Sequence, residues 1–440
     1  MREIMPLSAL FKTFRHGTHP PARKDTAGAV VSELPVPGEL FVSLGQHIGA
    51  PAKAVVAAGD RVLEGQLLAE PAPGLSAAVH SPVSGTVKGV VKLPVASGGS
   101  AEHIVVENDG RYEKSLLPPL PEDASPSEIV GRVREAGIVG MGGAGFPTAV
   151  KLTPKEKIDT LIVNGAECEP YITCDCRVMQ ESAEEVVRGA LLLARAVGAS
   201  RTVIAVEKNK PEAVAALRAA AEGRAEVLAL RVKYPQGAEK QLIYAATGRR
   251  VPAGGLPSAV GCVVDNAQTA LAVARAVLHG EAPVSRVITV AGGGVEKRGN
   301  FRVRVGTPFS FVYECVRGDK PETLTDKVIS GGPMMGTAQA DLSACCTKTT
   351  SALLFLSHDE ISVAETTDCI NCGRCLRSCP MFLPPREIER AVLSKDAERA
   401  RTLGVEACME CGVCSYVCPA KRPLVQAMRL AKRQLKGGGK

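Results

Sequence analysis

With 440 residues, 45% of them hydrophobic, the chain is long enough for several domains with buried cores, which excludes global disorder. No apolar run reaches the ~18 residues needed to cross a bilayer. The net charge of +7 is local: Lys421, Arg422, Arg429, Lys432, Arg433, Lys436 and Lys440 supply it, leaving 46 basic against 46 acidic residues elsewhere. A neutral body with 3% aromatic residues argues against nucleic acid as a partner. Fifteen cysteines without a secretory leader point to a reducing, cytoplasmic setting.

Residues 1–30 form a polar N-terminal segment containing His16-Gly17-Thr18-His19-Pro20-Pro21. Over 31–115, short valine-rich runs with glycine turns (Glu39–Leu44, Arg61–Glu70, Ala78–Val87) predict a small β sandwich. They resemble the barrel-sandwich fold of biotinyl and lipoyl carriers. No lysine lies between Glu64 and Val87, so a swinging arm has no attachment point there. A Pro-, Asp- and Ser-rich linker at 118–126 precedes an α/β domain over 120–283. Ser125, Pro126 and Glu128 there predict the start of a helix that ends near Gly137. Strands at Thr160–Val163, Thr202–Val206 and Glu226–Val232 alternate with helices at Ala183–Val197, Pro211–Ala221 and Thr269–Leu278.

Within that domain, Gly140-Met141-Gly142-Gly143-Ala144-Gly145 follows a predicted helix rather than a strand, unlike a Rossmann fingerprint. A loop this rich in glycine brings backbone N–H groups close to an anion, and Lys151 adds a charge suited to phosphate. Residues 284–350, with strands at Val287–Val290 and Asn300–Val305, predict a small β module.

Residues 351–420 carry two copies of Cys-x2-Cys-x2-Cys-x3-Cys-Pro: Cys369, Cys372, Cys375, Cys379 and Cys408, Cys411, Cys414, Cys418. This is the bacterial ferredoxin spacing, in which the fourth cysteine of each run ligates the other of two [4Fe–4S] clusters. The expected sets are Cys369, Cys372, Cys375 with Cys418, and Cys408, Cys411, Cys414 with Cys379. Zinc sites also use Cys-x2-Cys, but a third cysteine at the same spacing and a fourth before proline, twice over, favour clusters. A helix is predicted over Arg386–Leu403. The basic tail, 421–440, interleaves Leu424, Val425, Met428, Leu430, Ala431 and Leu435 with its charges. It suits either an anionic membrane face or partner subunit, or a frayed solvated helix. Cys168, Cys174 and Cys176, the Cys345-Cys346 pair, Cys262 and Cys315 are expected to be free thiols. No arrangement of catalytic acid, base or nucleophile is evident.

Gly140–Lys151 resembles the flavin-phosphate loop of the NADH-oxidising subunit of respiratory complex I. Asn164-Gly165-Ala166-Glu167-Cys168-Glu169-Pro170-Tyr171, Tyr234–Lys240 and Val264-Asp265-Asn266 resemble its later segments. Met141, Ala166 and Cys168 stand where that family carries arginine, aspartate and glycine. With His16–Pro21, the carrier-like sandwich, Ser330–Gly336 and both cysteine runs in order, the whole chain resembles the C subunit of the Rnf ion-translocating ferredoxin:NAD oxidoreductase. The resemblance implies a multidomain α/β and α+β fold: barrel-sandwich domain, flavin and nucleotide domain, β-grasp-like (SLBB) module and helical dicluster domain. It implies FMN phosphate over Gly140, Gly142, Gly143 and Gly145 near Lys151, with Asn164 and Asn266 offering amides to the flavin. Glu167 and Glu169 would face the flavin and NAD(H), with Tyr234, Gly237 and Glu239 completing the pocket. It implies electron transfer from NADH through FMN and two [4Fe–4S] clusters to membrane and iron–sulfur subunits, and indirectly to ferredoxin, peripherally at the cytoplasmic membrane face. The alternatives are a soluble reductase of cobalamin-reductase type and a non-catalytic two-cluster relay.

Overall fold

The computed structural model describes residues 12–319, 325–362 and 364–437. Residues 1–11 of the N-terminal segment and Gly438, Gly439 and Lys440 of the tail lie outside it.

The sandwich domain is built as its alternating valines require. Glu39–Ser43, Ser100–Asn108, Gly85–Pro94 and Arg61–Val62 form one antiparallel sheet, and Lys53–Ala54, Leu67–Glu70 and Val79–His80 another. Leu40, Val42, Val62, Leu68, Val79, Ile104 and Val106 are fully buried in its core. Its role toward the next domain is structural. The Lys348 ammonium donates to the carbonyls of Ala78 (2.9 Å) and Gly137 (2.8 Å), tying the sandwich to the α/β domain just before the glycine loop. Burial pushes this lysine's pKa down to about 7.

In the α/β domain, Ser125 and Glu128 close a reciprocal capping box on the helix Pro126–Glu135. Four parallel strands follow in the order Glu226–Leu230, Arg201–Glu207, Thr160–Gly165, Cys262–Asn266. Leu161 and Val163 bury on one face and Ile162 and Val264 on the other, so the strands are apolar on both sides. The helices Ala183–Val197 and Ala267–His279 cross at Gly189, where a Cβ would lie 1.8 Å from the Ala270 carbonyl oxygen. The register places Asn266 beside Asn164 at the carboxyl ends of adjacent strands, where ligands of open α/β sheets bind.

The β module reaches past both of its expected borders. Its six-stranded sheet runs Val31–Glu33, Gly299–Arg304, Ser285–Ala291, Ala352–Leu356, Lys327–Ser330, Thr337–Ala338. Val31–Glu33 comes from the span expected to start the sandwich, and Ala352–Leu356 from the span expected to start the cluster domain. Val31–Glu33 pairs with a strand some 270 residues on, and Ala352–Leu356 lies between Ser285–Ala291 and Lys327–Ser330.

The helix expected over Arg386–Leu403 is two helices, Pro385–Leu393 and Ala397–Thr402. Lys395 takes a left-handed conformation (φ 58°), and the Asp396 side chain accepts from Arg399 N to cap the second. The tail forms the helix Leu424–Gly437, and its apolar face is occupied by its own domain. Met428 and Ala431 pack with Ile388, Ala391, Val392 and Val405. Arg422 pairs with Glu389, and Arg429 and Lys432 with Glu410. Three of the tail's seven basic residues are thus paired within the chain, and its Met428–Ala431 face is covered by the domain, while Leu430 stays exposed. Among the described residues, no helix is long and apolar enough to cross one.

Candidate functional site

The glycine loop closes on itself: Gly140 N donates to Phe146 O (2.8 Å) and Gly145 N to Gly140 O (3.2 Å). Gly143 and Gly145 adopt φ of 125° and 66°, open to glycine at little cost. Gly142, Gly143 and Ala144 are exposed at the tip. A Cβ on Gly142 would lie 3.3 Å from Asn266 Cβ, so the loop rests on the carboxyl end of the Cys262–Asn266 strand. The sandwich buttresses it from behind, through Ile48 N to Gly145 O at 3.0 Å. Arg286 donates to Met141 O from beneath, and Met141 N donates to the Thr269 hydroxyl.

Around the loop, the expected residues are tied to one another. Lys151 donates to Val264 O at 2.7 Å and lies 3.5 Å from Asp265 and 3.8 Å from Glu239. Burial opposes the lysine's charge, but these carboxylates outweigh it and raise its pKa, while burial raises theirs. Asn164 donates to Gly237 O (2.7 Å), and Gly237 N donates to Cys168 Sγ (3.3 Å). Asn266 caps its helix through Gln268 N and gives its amide to Asp175. Asp175 also receives Gln268 Nε2.

The acidic turn divides in two directions. Glu167, left-handed at φ 48°, accepts from Asp175 N (2.7 Å) and Cys176 N (3.3 Å), while its Oε2 is buried without a partner. Glu169 points the other way and accepts from Met334 N (3.0 Å), Met335 N (2.9 Å) and Tyr234 OH (3.2 Å). Burial pushes both carboxyls up to about 7, against the pull of nearby lysines for Glu167 and of these donors for Glu169.

Sequence reasoning missed the cations that hold this turn. Lys24 donates to the carbonyls of Glu167, Glu169 and Ile172, and Lys210 to that of Ala166. Neither belongs to a recognisable motif. Lys210 does stand directly before the helix Pro211–Ala221, the one local hint.

A raised carboxyl pKa has a testable sign. Folded Glu167 retains a proton between its ordinary value near 4.5 and about 7, so the folded state binds more protons than the unfolded there. Stability from this group is therefore present at low pH and lost as pH climbs through 7. Thermal melts from pH 5.5 to 8 should fall less steeply in Glu167→Gln than in the parent. Equal slopes would show that Glu167 does not titrate in this window.

Tyr234, buried, joins the acidic turn to the cysteine loops, since its hydroxyl lies 2.8 Å from Cys411 O and 3.2 Å from Glu169. Gly412, with φ 75°, approaches so closely that a Cβ would meet Met334 O at 2.6 Å. His16 Nδ1 lies 3.0 Å from Cys379 O, and Gly17 N donates to Ser378 O.

The eight cysteines line two cavities, Cys369, Cys372, Cys375 and Cys418 in one, Cys379, Cys408, Cys411 and Cys414 in the other. Tetrahedral zinc, with Zn–S near 2.3 Å, would draw its sulfurs to roughly 4 Å apart. Among the described residues, the one trio of metal-capable groups with donor atoms within 4.8 Å of one another is Glu167, Cys174 and Asp175. The cysteine sets are thus spaced for something wider than a single ion, which four-thiolate cubane clusters fit. In that trio Glu167 Oε1 and both Asp175 oxygens accept protein N–H groups, and burial raises the Cys174 thiol's pKa, leaving Glu167 Oε2 as the one unpartnered oxygen.

Fold and site together define a flavin and iron–sulfur electron-transfer protein. Residues 133–275 match the Nuo51 FMN-binding domain, 12–111 the RnfC barrel sandwich hybrid domain and 361–419 the 4Fe-4S dicluster domain. The chain is 42% identical over 383 residues to the C subunit of the proton-translocating ferredoxin:NAD(+) oxidoreductase complex of Clostridium ljungdahlii, covering 86% of this chain and 83% of that one. It is 41% identical to the C subunit of the Na(+)-translocating ferredoxin:NAD(+) oxidoreductase complex of Acetobacterium woodii, over 96% and 97%. The chain belongs to the RnfC family of ion-translocating oxidoreductase subunits. In fold it is similar to an NAD+-reducing [NiFe]-hydrogenase chain, with TM-score 0.50 at 22% identity over 70% of this chain and 64% of that one.

Proposed function

We propose that this protein passes electrons between NAD(H) and the iron–sulfur and membrane subunits of an Rnf-type complex, and through them ferredoxin, while those partners translocate the ion. It would sit peripherally at the cytoplasmic face of the membrane. Bound FMN would supply the step between hydride, which nicotinamide gives as an electron pair, and clusters that take electrons one at a time.

The chain's own residues supply binding and order. Exposed N–H groups of Gly142 and Gly143 suit a phosphate, with Gly140 and Gly145 closing the loop beneath. Lys151, held by Asp265 and Glu239, contributes field rather than a free hand. Asn164, Asn266 and Gly237 fix the floor, and Glu167 Oε2 is a buried acceptor left without a partner. Cys369, Cys372, Cys375 and Cys418 would hold one cluster, and Cys379, Cys408, Cys411 and Cys414 the other.

The observation that carries this reading is Tyr234 bridging Glu169 and the Cys411 carbonyl, which brings nucleotide site and second cysteine set into direct contact. The Cys379 set is then the inner cluster and the Cys369 set the outer one, facing the partner. Anaerobic NADH titration of the purified chain, loaded with FMN, tests it by absorbance and EPR. Flavin bleaching followed by two cluster signals is expected. Clusters that respond to dithionite and ignore NADH would refute the nucleotide assignment.

A further inference from the structure

The two cysteine cavities differ in what surrounds them. The Cys369 cavity is lined by Arg374, Arg386 and Arg422 with one acid, Glu389, and all four of its cysteines are half-buried. Arg422 is engaged by Glu389 at 3.0 Å. Arg386 instead sends its Nε to Cys369 Sγ at 3.0 Å, and its other arm reaches Glu387. The Cys379 cavity is lined by Pro380, Met381, Leu383, Pro385, Met409, Val413, Val425 and Met428, with Glu410 as its charged member. Its Cys379, Cys411 and Cys414 are buried. The donors to its sulfurs are neutral amides: Glu410 N to Cys408 Sγ at 3.3 Å and Leu383 N to Cys379 Sγ at 3.4 Å. The cations on that side, Lys432 and Arg429, are spent on Glu410, and Lys432 also on the Cys408 carbonyl.

Reducing a cluster adds one electron, and so one negative charge, beside these groups. A cation hydrogen-bonded to a ligating sulfur, and access to solvent, stabilise that added charge, whereas a buried apolar wall does not. We propose that Arg386, through its N–H···S bond to Cys369, sets the outer cluster's potential above that of the inner one, so that an electron leaving the nucleotide side runs downhill toward the partner. Arg386 is a tuning residue, acting through Cys369. The inference rests on the cluster ligands proposed above.

The experiment is EPR-monitored redox titration of the full chain and its R386Q and R386K variants, after iron and sulfide analysis. Cys372→Ser identifies the outer cluster's wave by removing it. In R386Q the higher wave should move to lower potential, by about tenfold in reduced-to-oxidised ratio at a fixed potential, or ~59 mV for one electron. The lower wave should stay in place. R386K, which keeps the charge and loses the planar fork, should shift the higher wave less. An unmoved higher wave in a fully loaded R386Q, or movement of the lower wave instead, overturns the proposal. If R386Q loses half its iron, R386K decides, and an unmoved higher wave there overturns it equally. Parent protein holding fewer than two clusters would instead defeat the ligand assignment, and iron analysis reveals that before any potential is measured.

Discussion

Cys418→Ser is expected to abolish the same cluster as Cys372→Ser, and Cys379→Ser the same cluster as Cys411→Ser, although each pair straddles the two sequence motifs. The cause is the shape of the domain. Each motif puts three cysteines on a loop, and the chain then turns at Pro380 or Pro419, delivering the fourth sulfur to the neighbouring cavity. A lost thiolate leaves an iron corner open to solvent, so each substitution should cost one cluster nearly entirely. Iron content should halve, and the EPR signal that remains identifies the survivor. If Cys418→Ser instead removed the cluster of Cys408, Cys411 and Cys414, the crossed arrangement would be refuted.

Glu169→Ala should decouple the nucleotide side from the clusters while leaving both loaded. Its carboxylate receives Met334 N, Met335 N and Tyr234 OH, so truncation strands two backbone donors of the Ser330–Gly336 loop. Hydrogen bonds to a charged group are worth about 1.5–3 kcal/mol each. Loosening a contact of that size, where Tyr234 and Gly412 meet the loop, should slow NADH-driven cluster reduction by ~10²-fold, equivalent to about 3 kcal/mol. Stopped-flow absorbance at the flavin and cluster bands separates the steps. Flavin reduction should remain fast, cluster reduction should slow, and dithionite should still reduce both clusters. Glu169→Gln, which keeps one acceptor oxygen, should fall between. Unchanged cluster reduction in the alanine variant would remove Glu169 from the route.

The features legible in sequence are those whose chemistry is local. The cysteine spacing fixes its own loop geometry, the glycine loop its own backbone, and Ser125 with Glu128 its own cap. The helices Ala183–Val197 and Pro211–Ala221 end at the residues their periodicity and flanking signals name. What escaped depends on partners far along the chain. Val31–Glu33 looks like the first strand of the sandwich until Gly299–Arg304 arrives to pair with it in parallel. Ala352–Leu356, a fully buried apolar run, carries no sign of which sheet will take it. Lys24 sits in a polar segment with nothing nearby to mark it as the cap of three carbonyls beyond residue 160. The tail's amphipathic pattern was visible, but periodicity cannot say whether a stripe meets lipid or its own domain. The break at Lys395 lay within reach, because Asp396 is a good N-cap residue inside an otherwise helical run.

The strap formed by His16 and Gly17 has a consequence for how the molecule is made. Its partners, Ser378 O and Cys379 O, lie at the far end of the chain, and the His16 contact spans 363 residues. At ribosomal speeds of about 5–20 residues per second, roughly 20–70 s separate the synthesis of one partner from the other. The sandwich and nucleotide domains can fold in that interval, but the strap has nothing to fasten to. Closure of the strap on the cysteine loops therefore waits until nearly the whole chain has been made.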